Sequence, residues 1–492
     1  MICNPTSPPS IRQQAAEVLD EILVVVPRNL TSTGPLQAQV QKQVLDVLSR
    51  QMFVEPGYGS SAVVVDIQRL ALETLYKILQ FSGHSLVVGW ELIFEMLGSV
   101  AQPVTGSTEA SISPSQSTNT TASSLSVLTG SGRNRPLSLQ PAPKSSAGLT
   151  RIAFQSLTLV CDSLDSLSPD HLRLCITTLG QFGRQQDTNI ALTAAESLLW
   201  GVSDSIQAKR KNAEKEPEYS ELWTFLLLEL RGLCTDARHE VRFGAIQTLF
   251  RTLQLYGATL SLETWDECMW KVIFPLLDDL SIAVKQAREE LLDAEPSSST
   301  TITQTFSTHK NPWDESKSLS LQSIGTLFHD FLISKIMYLA SFAKAWDAFV
   351  EHVTMSFLRD SRLISTAALR CLDKALKASK NAGGDLHAIA VGAWERVWTA
   401  CDDMGKAVVS ATSNRLPPPD EVGLMPMPFT QESLLAFVEV IQSAYSLNGS
   451  TWDLERIQRM LAILKGIMTY SSSTDYRPDI DLLTPVQVSS EE

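Results

Sequence analysis

Cysteine and histidine are the residues of this sequence whose types could supply a metal ligand, a nucleophile or a base. No two of the seven cysteines have the two-residue spacing that zinc and redox sites use. The seven histidines include no pair four residues apart and no HExxH motif. The sequence therefore predicts no metal site and no cysteine or histidine catalyst, and an odd, dispersed set of cysteines is typical of a reducing compartment. The residues are Cys3, Cys161, Cys175, Cys234, Cys268, Cys371 and Cys401, and His84, His171, His239, His309, His329, His352 and His387.

Other catalytic signatures are also missing from the sequence. It contains no Walker A loop, no GxSxG nucleophile elbow and no dinucleotide-binding GxGxxG. Two acidic pairs, Asp278–Asp279 and Asp402–Asp403, could work as acid and base only if one member were buried, and we expect both pairs to face solvent. We predict that the chain is not an enzyme and that it has no catalytic, cofactor-binding or metal-binding residue.

Four of the ten tryptophans form two close pairs, Trp265 with Trp270 and Trp394 with Trp398. The four-residue spacing of the second pair places both rings on one helix face. Core packing is the expected role of these rings, and an aromatic anchor for a partner peptide is the alternative.

The residues that build the fold follow one recurring pattern. An aliphatic residue is followed by alanine at i+4, an apolar residue at i+5 and leucine at i+8. These offsets place four side chains on one stripe of a helix, and the alanine lets a neighbouring helix approach closely. Two successive copies begin about forty residues apart, which is typical of HEAT and armadillo repeats. We predict an all-α helical-repeat solenoid with disordered linkers. The six copies begin at Ile11, Ile67, Leu149, Ile190, Val241 and Ile364.

Two copies follow a short polar segment that contains an aspartate. Asp236 precedes Val241 and Arg242, and Asp360 precedes Arg362 and Ile364. An acid before a helix can cap its first turn, and in HEAT repeats such a residue often pairs with an arginine of the next repeat. We therefore expect both aspartates to lie at repeat junctions.

Composition and charge limit the classes of partner. The net charge of −14 argues against broad binding to nucleic acid or to anionic lipid. The basic stretch 209–215 is expected to be a solvated loop. Apolar runs such as 222–230 are too short to cross a bilayer, and the first residues predict no signal peptide, so we expect a cytosolic chain.

Stretches rich in Ser, Thr, Pro and Gly predict linkers, because they cannot bury enough apolar surface to offset the entropy of ordering. The predicted organisation is N-terminal helical repeats at 1–100, a disordered linker at 101–147, central HEAT-type repeats at 148–291, a second disordered linker at 292–312, C-terminal repeats at 313–470 with a proline-rich connection at 415–428, and a tail at 471–492.

Several longer strings occur in an order that resembles one protein family, the Mon-two (monensin-sensitivity) family of Golgi and endosomal peripheral membrane proteins. The strings are EVRFGAIQTLFRTLQLYGATLS at 240–261, TWDECMWKVIFPLLDDL at 264–280, WDE at 313–315 with SLSLQSIGTLFHDF at 318–331, KAWDAFVEHV at 344–353, AVGAWERVWTACDDMG at 390–405 and SSSTDYRPDIDLLTPVQ at 471–487.

The resemblance implies a helical-repeat protein related to the large Arf guanine-nucleotide exchange factors but lacking their Sec-seven domain. It implies a Dopey-family partner, with links to an Arf-like GTPase and a phospholipid flippase. The implied location is the cytoplasmic face of trans-Golgi and endosome membranes, with a role in transport between Golgi, endosomes and vacuole. No catalytic residue transfers from the family, membrane attachment is expected to be indirect, and no nucleic acid is expected to bind. Family members are much longer, so we expect a fragment or a short form that corresponds to their C-terminal portion.

Two other interpretations fit the same residues. The chain could be the C-terminal regulatory half of a large Arf exchange factor, whose catalytic domain would lie elsewhere. It could also be a nuclear-transport or phosphatase-type HEAT scaffold, because acidic charge and a forty-residue repeat suit that class equally well. The ordered strings favour the Mon-two family over the second alternative.

Overall fold

All regular secondary structure in the described residues is helical. The computed structural model describes residues 7–28, 34–53, 61–101, 144–210, 216–293, 311–380, 386–412, 428–448 and 452–470. Within these ranges every regular element is a helix, which confirms the predicted all-α class. The chain divides into two compact units, Met1–Ser163 and Leu164–Glu492.

Unit 1 contains five long helices in two layers. Helices α1, α3 and α5 pack side by side in that order, while α2 and α4 form a second layer against them. The copies of the apolar pattern that begin at Ile67 and Leu149 lie on α3 and α5, and all eight of their side chains are buried, as predicted. The helices are α1 (Pro9–Arg28), α2 (Pro35–Met52), α3 (Ser61–Ser82), α4 (Trp90–Ala101) and α5 (Lys144–Cys161).

Helix α1 departs from the predicted pattern. Ile11, the first residue of its copy, is 45% exposed. The buried face runs instead through Arg12, Ala16, Asp20 and Leu23, one position further along the helix. The apolar pattern could not show this, because two of those four buried side chains are charged.

Unit 2 contains two-helix repeats that stack in series. The helices are α6 (Pro169–Gly183), α7 (Thr188–Ser197), α8 (Asp204–Arg210), α9 (Glu216–Leu233), α10 (His239–Tyr256), α11 (Leu262–Glu267), α12 (Phe274–Asp293), α13 (Pro312–Phe331), α14 (Phe342–Arg359), α15 (Arg362–Ser379), α16 (Leu386–Thr412), α17 (Gln431–Asn448) and α18 (Leu454–Thr469). Helices α7 and α8 are joined by the π-helical segment Leu198–Ser203, and α11 and α12 by Cys268–Ile273.

The stacking places alternate helices in the same layer. The first helices of the repeats, α6, α9, α11–α12, α14, α16 and α18, each contact the next in the series. The second helices, α7, α10, α13, α15 and α17, form the other layer in the same way. This order, in which each helix packs on its hairpin partner and on the equivalent helices of the neighbouring repeats, is that of a HEAT or armadillo solenoid.

The apolar pattern marks the second-helix layer. The copies at Val241 on α10 and Ile364 on α15 are buried at all four positions, and Ile190, Ala194 and Ala195 on α7 are buried as well. Helix α13 has Ser316, Ser320, Leu321 and Ile324 at the same offsets, each fully buried. Serine takes the place of the aliphatic residue and of the alanine there, so the pattern in its apolar form missed this helix.

Side-chain caps and prolines fix where several helices begin. Ser168 accepts a hydrogen bond from the backbone N–H of His171, with Pro169 at the first position of α6. Asn311 caps α13 in the same way ahead of Pro312, and Asp453 caps α18. A hydroxyl, amide or carboxylate oxygen satisfies an otherwise free N–H, and proline has the φ angle that the first turn needs.

The predicted linkers and tail lie almost wholly outside the described residues. Their edges differ from prediction by a few positions, since α5 already begins at Lys144 and α12 continues to Asp293. The segments concerned are 101–147, 292–312, 415–428 and 471–492, and the string at 471–487 falls in the last of them.

Candidate functional site

Five of the six cysteines in the described residues are buried, and Cys161 is half-buried. Burial raises the pKa of Cys234, Cys268, Cys371 and Cys401, which disfavours the reactive thiolate. Cys175 is buried as well. Among the described residues, no group of three His, Cys, Asp or Glu side chains is placed to hold a metal ion.

The two acidic pairs take part in ion pairs between and within helices. Asp278 is 64% exposed and lies 3.7 Å from the imidazole of His352. Asp402 is only 15% exposed, so the prediction that both pairs face solvent is wrong at this residue. Its carboxylate is instead paired with Lys406 at 2.8 Å and lies 3.8 Å from Arg459 on α18.

Three of the four paired tryptophans are core residues. Trp265 is fully buried and donates its indole N–H to the backbone oxygen of Gly257 at 2.9 Å. Trp394 and Trp398 are each 7% exposed. Trp270 is 38% exposed and donates to Ser341 Oγ at 3.1 Å. Core packing is thus confirmed for three rings, and only Trp270 presents much of its surface.

Buried cations connect successive second helices. Arg242 on α10 is 1% exposed, its Nε donates to Ser316 Oγ of α13 at 2.8 Å, and its guanidinium carbon lies 3.7 Å from the ring centroid of Trp313. Its Nη1 also donates to the backbone oxygen of Asp236 at 2.7 Å. A planar guanidinium can stack and donate hydrogen bonds at once, which satisfies this charge inside the array.

The same arrangement recurs where α15 meets α17. Arg362 is 8% exposed, donates to the backbone oxygens of Pro428 at 3.1 Å and Phe357 at 2.9 Å, and lies 4.2 Å from the ring centroid of Phe429. Burial lowers the pKa of Arg362 to about 10, so it remains charged at neutral pH.

Between these two junctions, Lys317 on α13 forms an ion pair with Asp360, just before α15. The side chains are 4% and 14% exposed. We call Arg242, Lys317 and Arg362 the buried cation ladder. Each cation contacts the segment that begins the next second helix, so the ladder fixes the register of three consecutive junctions.

Asp236 and Asp360 both lie at repeat junctions, as predicted. Neither pairs with an arginine of the next repeat, which was the expected partner. Asp360 pairs with a lysine of the preceding repeat, because Lys317 points towards the start of α15. Asp236 pairs with Arg238 of its own loop at 2.9 Å, and Arg238 reaches back to the backbone oxygen of Gln185 at 2.6 Å. Neither aspartate side chain caps the helix that follows it.

Partly exposed ion pairs connect the first helices in a parallel series. Each joins one helix of that layer to the next, and exposed pairs of this kind contribute little individually but set which helix faces which. The ion pairs are Arg184–Glu229, Arg231–Asp279, Arg396–Glu351 and Arg456–Glu395. Between α12 and α14, Asp278 lies 3.7 Å from His352, and burial lowers the pKa of this imidazole and so favours its neutral form. Charged contacts therefore connect successive repeats in both layers of unit 2.

The sequence of the chain is similar to one family over its central part. Residues 208–385 match the family described as the C-terminal region of Mon2 protein. This segment runs from α8 to a point just beyond α15 and contains the whole buried cation ladder. The match confirms the resemblance to Mon2 proteins for the strings that lie in this segment.

Mon2 relatives from animals extend the similarity beyond that segment. The Protein MON2 homolog of Drosophila melanogaster is 27% identical over 388 residues, which covers 73% of this chain and 20% of the relative. The human Protein MON2 homolog is 27% identical over 342 residues, or 63% of this chain and 17% of the relative. This chain thus spans about a fifth of the length of the Mon2 relatives it matches.

An Arf exchange factor and two solved structures are also similar. The ARF guanine-nucleotide exchange factor GNOM of Arabidopsis thaliana is 30% identical over 139 residues, or 26% of this chain and 10% of that protein. A microtubule polymerase TOG domain array has a TM-score of 0.27 at 11% identity, covering 98% of this chain and 90% of that chain. Importin beta has a TM-score of 0.23 at 10% identity, covering 100% and 67%. Both TM-scores are low, so the solenoid assignment rests on the helix packing described above.

The hydropathy of the helices bears on membrane association. Across the described ranges, no helix combines the length and the apolar character needed to cross a bilayer.

Proposed function

We propose that this chain is a non-enzymatic scaffold for vesicle-mediated protein transport between Golgi, endosomes and vacuole. The Mon2 match over residues 208–385, on a solenoid whose repeats are held in register, is the observation that carries this proposal. A solenoid suits scaffolding because each repeat contacts only its neighbours and leaves long outer faces for partners.

The proposed partners follow from the family. They are a Dopey-family protein, and with it an Arf-like GTPase and a phospholipid flippase, on the cytoplasmic face of trans-Golgi and endosome membranes. The non-enzymatic part is supported by what the reactive groups do: burial raises the pKa of Cys234, Cys268, Cys371 and Cys401, and Asp279 and Asp402 are engaged in ion pairs.

Affinity purification of the tagged chain, followed by mass spectrometry, tests this proposal. We expect enrichment of a Dopey-type protein and of Golgi or endosome machinery. A comparison variant is Arg362→Ala, which removes one step of the ladder, destabilises the array and should reduce the recovery of those partners. Nucleoporins, a Ran-type GTPase or phosphatase subunits in place of the Golgi set would reject the trafficking role.

Membrane attachment is proposed to be indirect and peripheral. Vesicles of phosphatidylcholine and phosphatidylserine, free of protein, should not carry the purified chain to the top of a density gradient. Strong flotation would show direct lipid binding and contradict this part of the proposal.

A second candidate function is a regulatory region of an Arf exchange factor, which the similarity to GNOM favours. In that case the chain should change the rate of nucleotide exchange on an Arf-type GTPase when added to a separate Sec-seven domain. No change in rate would leave the scaffold as the better account.

A further inference from the structure

Helix α15 is unusually basic for a chain with a net charge of −14. It contains four cations and one acid. Arg362 belongs to the buried ladder and Asp373 is 6% exposed, so the exposed charges are Arg370, Lys374 and Lys377. Their spacing of four and three residues places them on one side of the helix over a length of about 10 Å. We call these three residues the basic ridge.

The contacts within the array leave much of this charge accessible. Lys374 lies against the close approach of α13 and α15 at Gly325, where an added Cβ would be 3.4 Å from Lys374 Cδ. Its ammonium contacts a hydroxyl, Thr326 Oγ1, at 3.4 Å. The other two cations have carboxylate partners, but their own side chains are mostly in solvent.

Arg370 is 54% exposed and pairs at 2.9 Å with Glu432 on α17, which is 62% exposed. Lys377 is 61% exposed and pairs at 2.7 Å with Asp373, which also accepts a hydrogen bond from Ser443 at 2.6 Å. The Arg370–Glu432 pair is solvated on both sides and so contributes little, which lets another carboxylate compete for Arg370 at small cost.

The width of the basic ridge indicates whether it suits an anionic membrane surface or a single acidic protein segment. Asp330 is exposed on α13, and Glu432 and Glu439 lie on α17. Acids therefore stand on both neighbouring helices, and the positive strip is one helix wide. A flat anionic membrane would press against all of these acids. A single acidic segment lying along α15 would meet only those beside the ridge, such as Glu432, and would replace its pairing with Arg370.

We propose that the basic ridge of Arg370, Lys374 and Lys377 docks an acidic helical segment of a partner protein. A helix with carboxylates at i, i+4 and i+7 repeats the spacing of the three cations, so the charges can pair along the whole contact. The ridge lies within residues 208–385, the segment that matches the Mon2 family. The inference deepens the scaffold proposal and rests on it for the partner being a protein.

Fluorescence anisotropy of a labelled, alanine-based helical peptide with glutamates at i, i+4 and i+7 tests the docking with purified components. We expect saturable binding that weakens as salt is raised, since exposed charges are screened. The double variant Lys374→Glu with Lys377→Glu should weaken binding at least about tenfold, because two attractions become repulsions. Lys285→Glu, an exposed lysine on α12 in the other layer, is the matched control and should bind like the wild type.

The proposal is overturned if the wild-type chain fails to bind the peptide, or if the double variant binds as tightly as Lys285→Glu. It is also overturned if a peptide with three adjacent glutamates binds equally well, or if anionic vesicles bind at the ridge and the peptide does not. Unchanged thermal unfolding of the double variant excludes loss of fold as the cause. A negative result here leaves the affinity purification free to succeed, so the two proposals fail separately.

Discussion

The guanidinium of Arg242 stacks on the ring of Trp313 at 3.7 Å, although the two residues lie on different repeats. Both ends of the contact are constrained, because Arg242 also donates to Ser316 Oγ and to the backbone oxygen of Asp236. One side chain thus joins the loop before α10 to the first turn of α13.

Replacing Arg242 by alanine should lower the free energy of unfolding of unit 2 by about 3 kcal/mol, because a stacked and hydrogen-bonded side chain is lost and its buried acceptors are left without a donor. Urea unfolding followed by circular dichroism measures the loss. Arg251→Ala is the matched control on the same helix, since Arg251 also lies over a tryptophan, Trp200, at 4.7 Å, but on the exposed surface. That change should lose no more than about 1 kcal/mol, and equal losses for the two variants would contradict a special role of the buried contact.

The Lys317–Asp360 pair predicts a strongly non-additive double mutant. Lys317→Met should destabilise by about 3 kcal/mol, because it leaves the Asp360 carboxylate without its cation in a mostly buried place. Adding Asp360→Leu should recover most of that loss, since no charge then remains unpaired. A double variant that is less stable than either single variant would show that the ion pair itself, and not the avoidance of an unpaired charge, stabilises the junction.

Glycine is required where α16 meets α18. A Cβ on Gly405 would lie 2.4 Å from Ile463 Cγ1, whereas a Cβ on Gly392 of the same helix meets nothing within 4 Å. Gly405→Ala should therefore loosen α18, with a loss of about 1–3 kcal/mol from overpacking. Hydrogen exchange should show faster exchange at 454–469. Gly392→Ala should leave that exchange unchanged and stabilise α16 by up to about 1 kcal/mol, because alanine has the higher helix propensity.

Asp20 makes the stability of unit 1 depend on pH. Burial raises the pKa of its carboxyl from 3.8 to about 6, with smaller opposing effects from Thr74 and Lys77. The folded state therefore binds this proton more tightly than the unfolded state. As the pH falls from above 6 towards 4, Asp20 becomes protonated and its contribution to the free energy of unfolding of unit 1 becomes more favourable. At neutral pH the ionised form destabilises unit 1 by up to about 3 kcal/mol.

Asp20→Asn should accordingly raise the melting temperature of unit 1 at pH 7.5 and have almost no effect near pH 4. Calorimetry at several pH values measures the difference between variant and wild type. Glu21→Gln, an exposed acid on the same helix, is the control and should show no such dependence. A gain for Asp20→Asn that is the same at every pH would contradict the assignment to Asp20.

The sequence predicted the buried apolar faces of the helices better than it predicted the contacts at the repeat junctions. Its apolar pattern found α3, α5, α7, α10 and α15, because alanine and leucine at fixed offsets must face a neighbouring helix. It missed α13, where Ser316 and Ser320 fill the small positions by donating to backbone oxygens of their own helix. It also placed the buried face of α1 one residue too early, since Arg12 and Asp20 have no apolar signature.

The junction cations could not be located from spacing. Arg242 and Lys317 directly follow the first position of the pattern, but Arg362 precedes that position by two residues, so no common offset identifies them. Asp360 was expected to pair forwards with an arginine, and it pairs backwards with Lys317. Which repeat supplies the partner depends on where the loop places the start of the next helix, and the spacing of residues does not show this.

The sequence by itself determined the helical-repeat class, the stripe that the second helices α7, α10 and α15 bury, and the Mon2 resemblance, because these follow from local periodicity and from ordered strings. The tertiary structure alone decided which charges became buried and which formed the ridge on α15. That outcome depends on the packing of repeats tens of residues apart: α13 approaches α15 closely at Gly325, while Arg242 and Arg362 find their aromatic rings only after the next helix has docked.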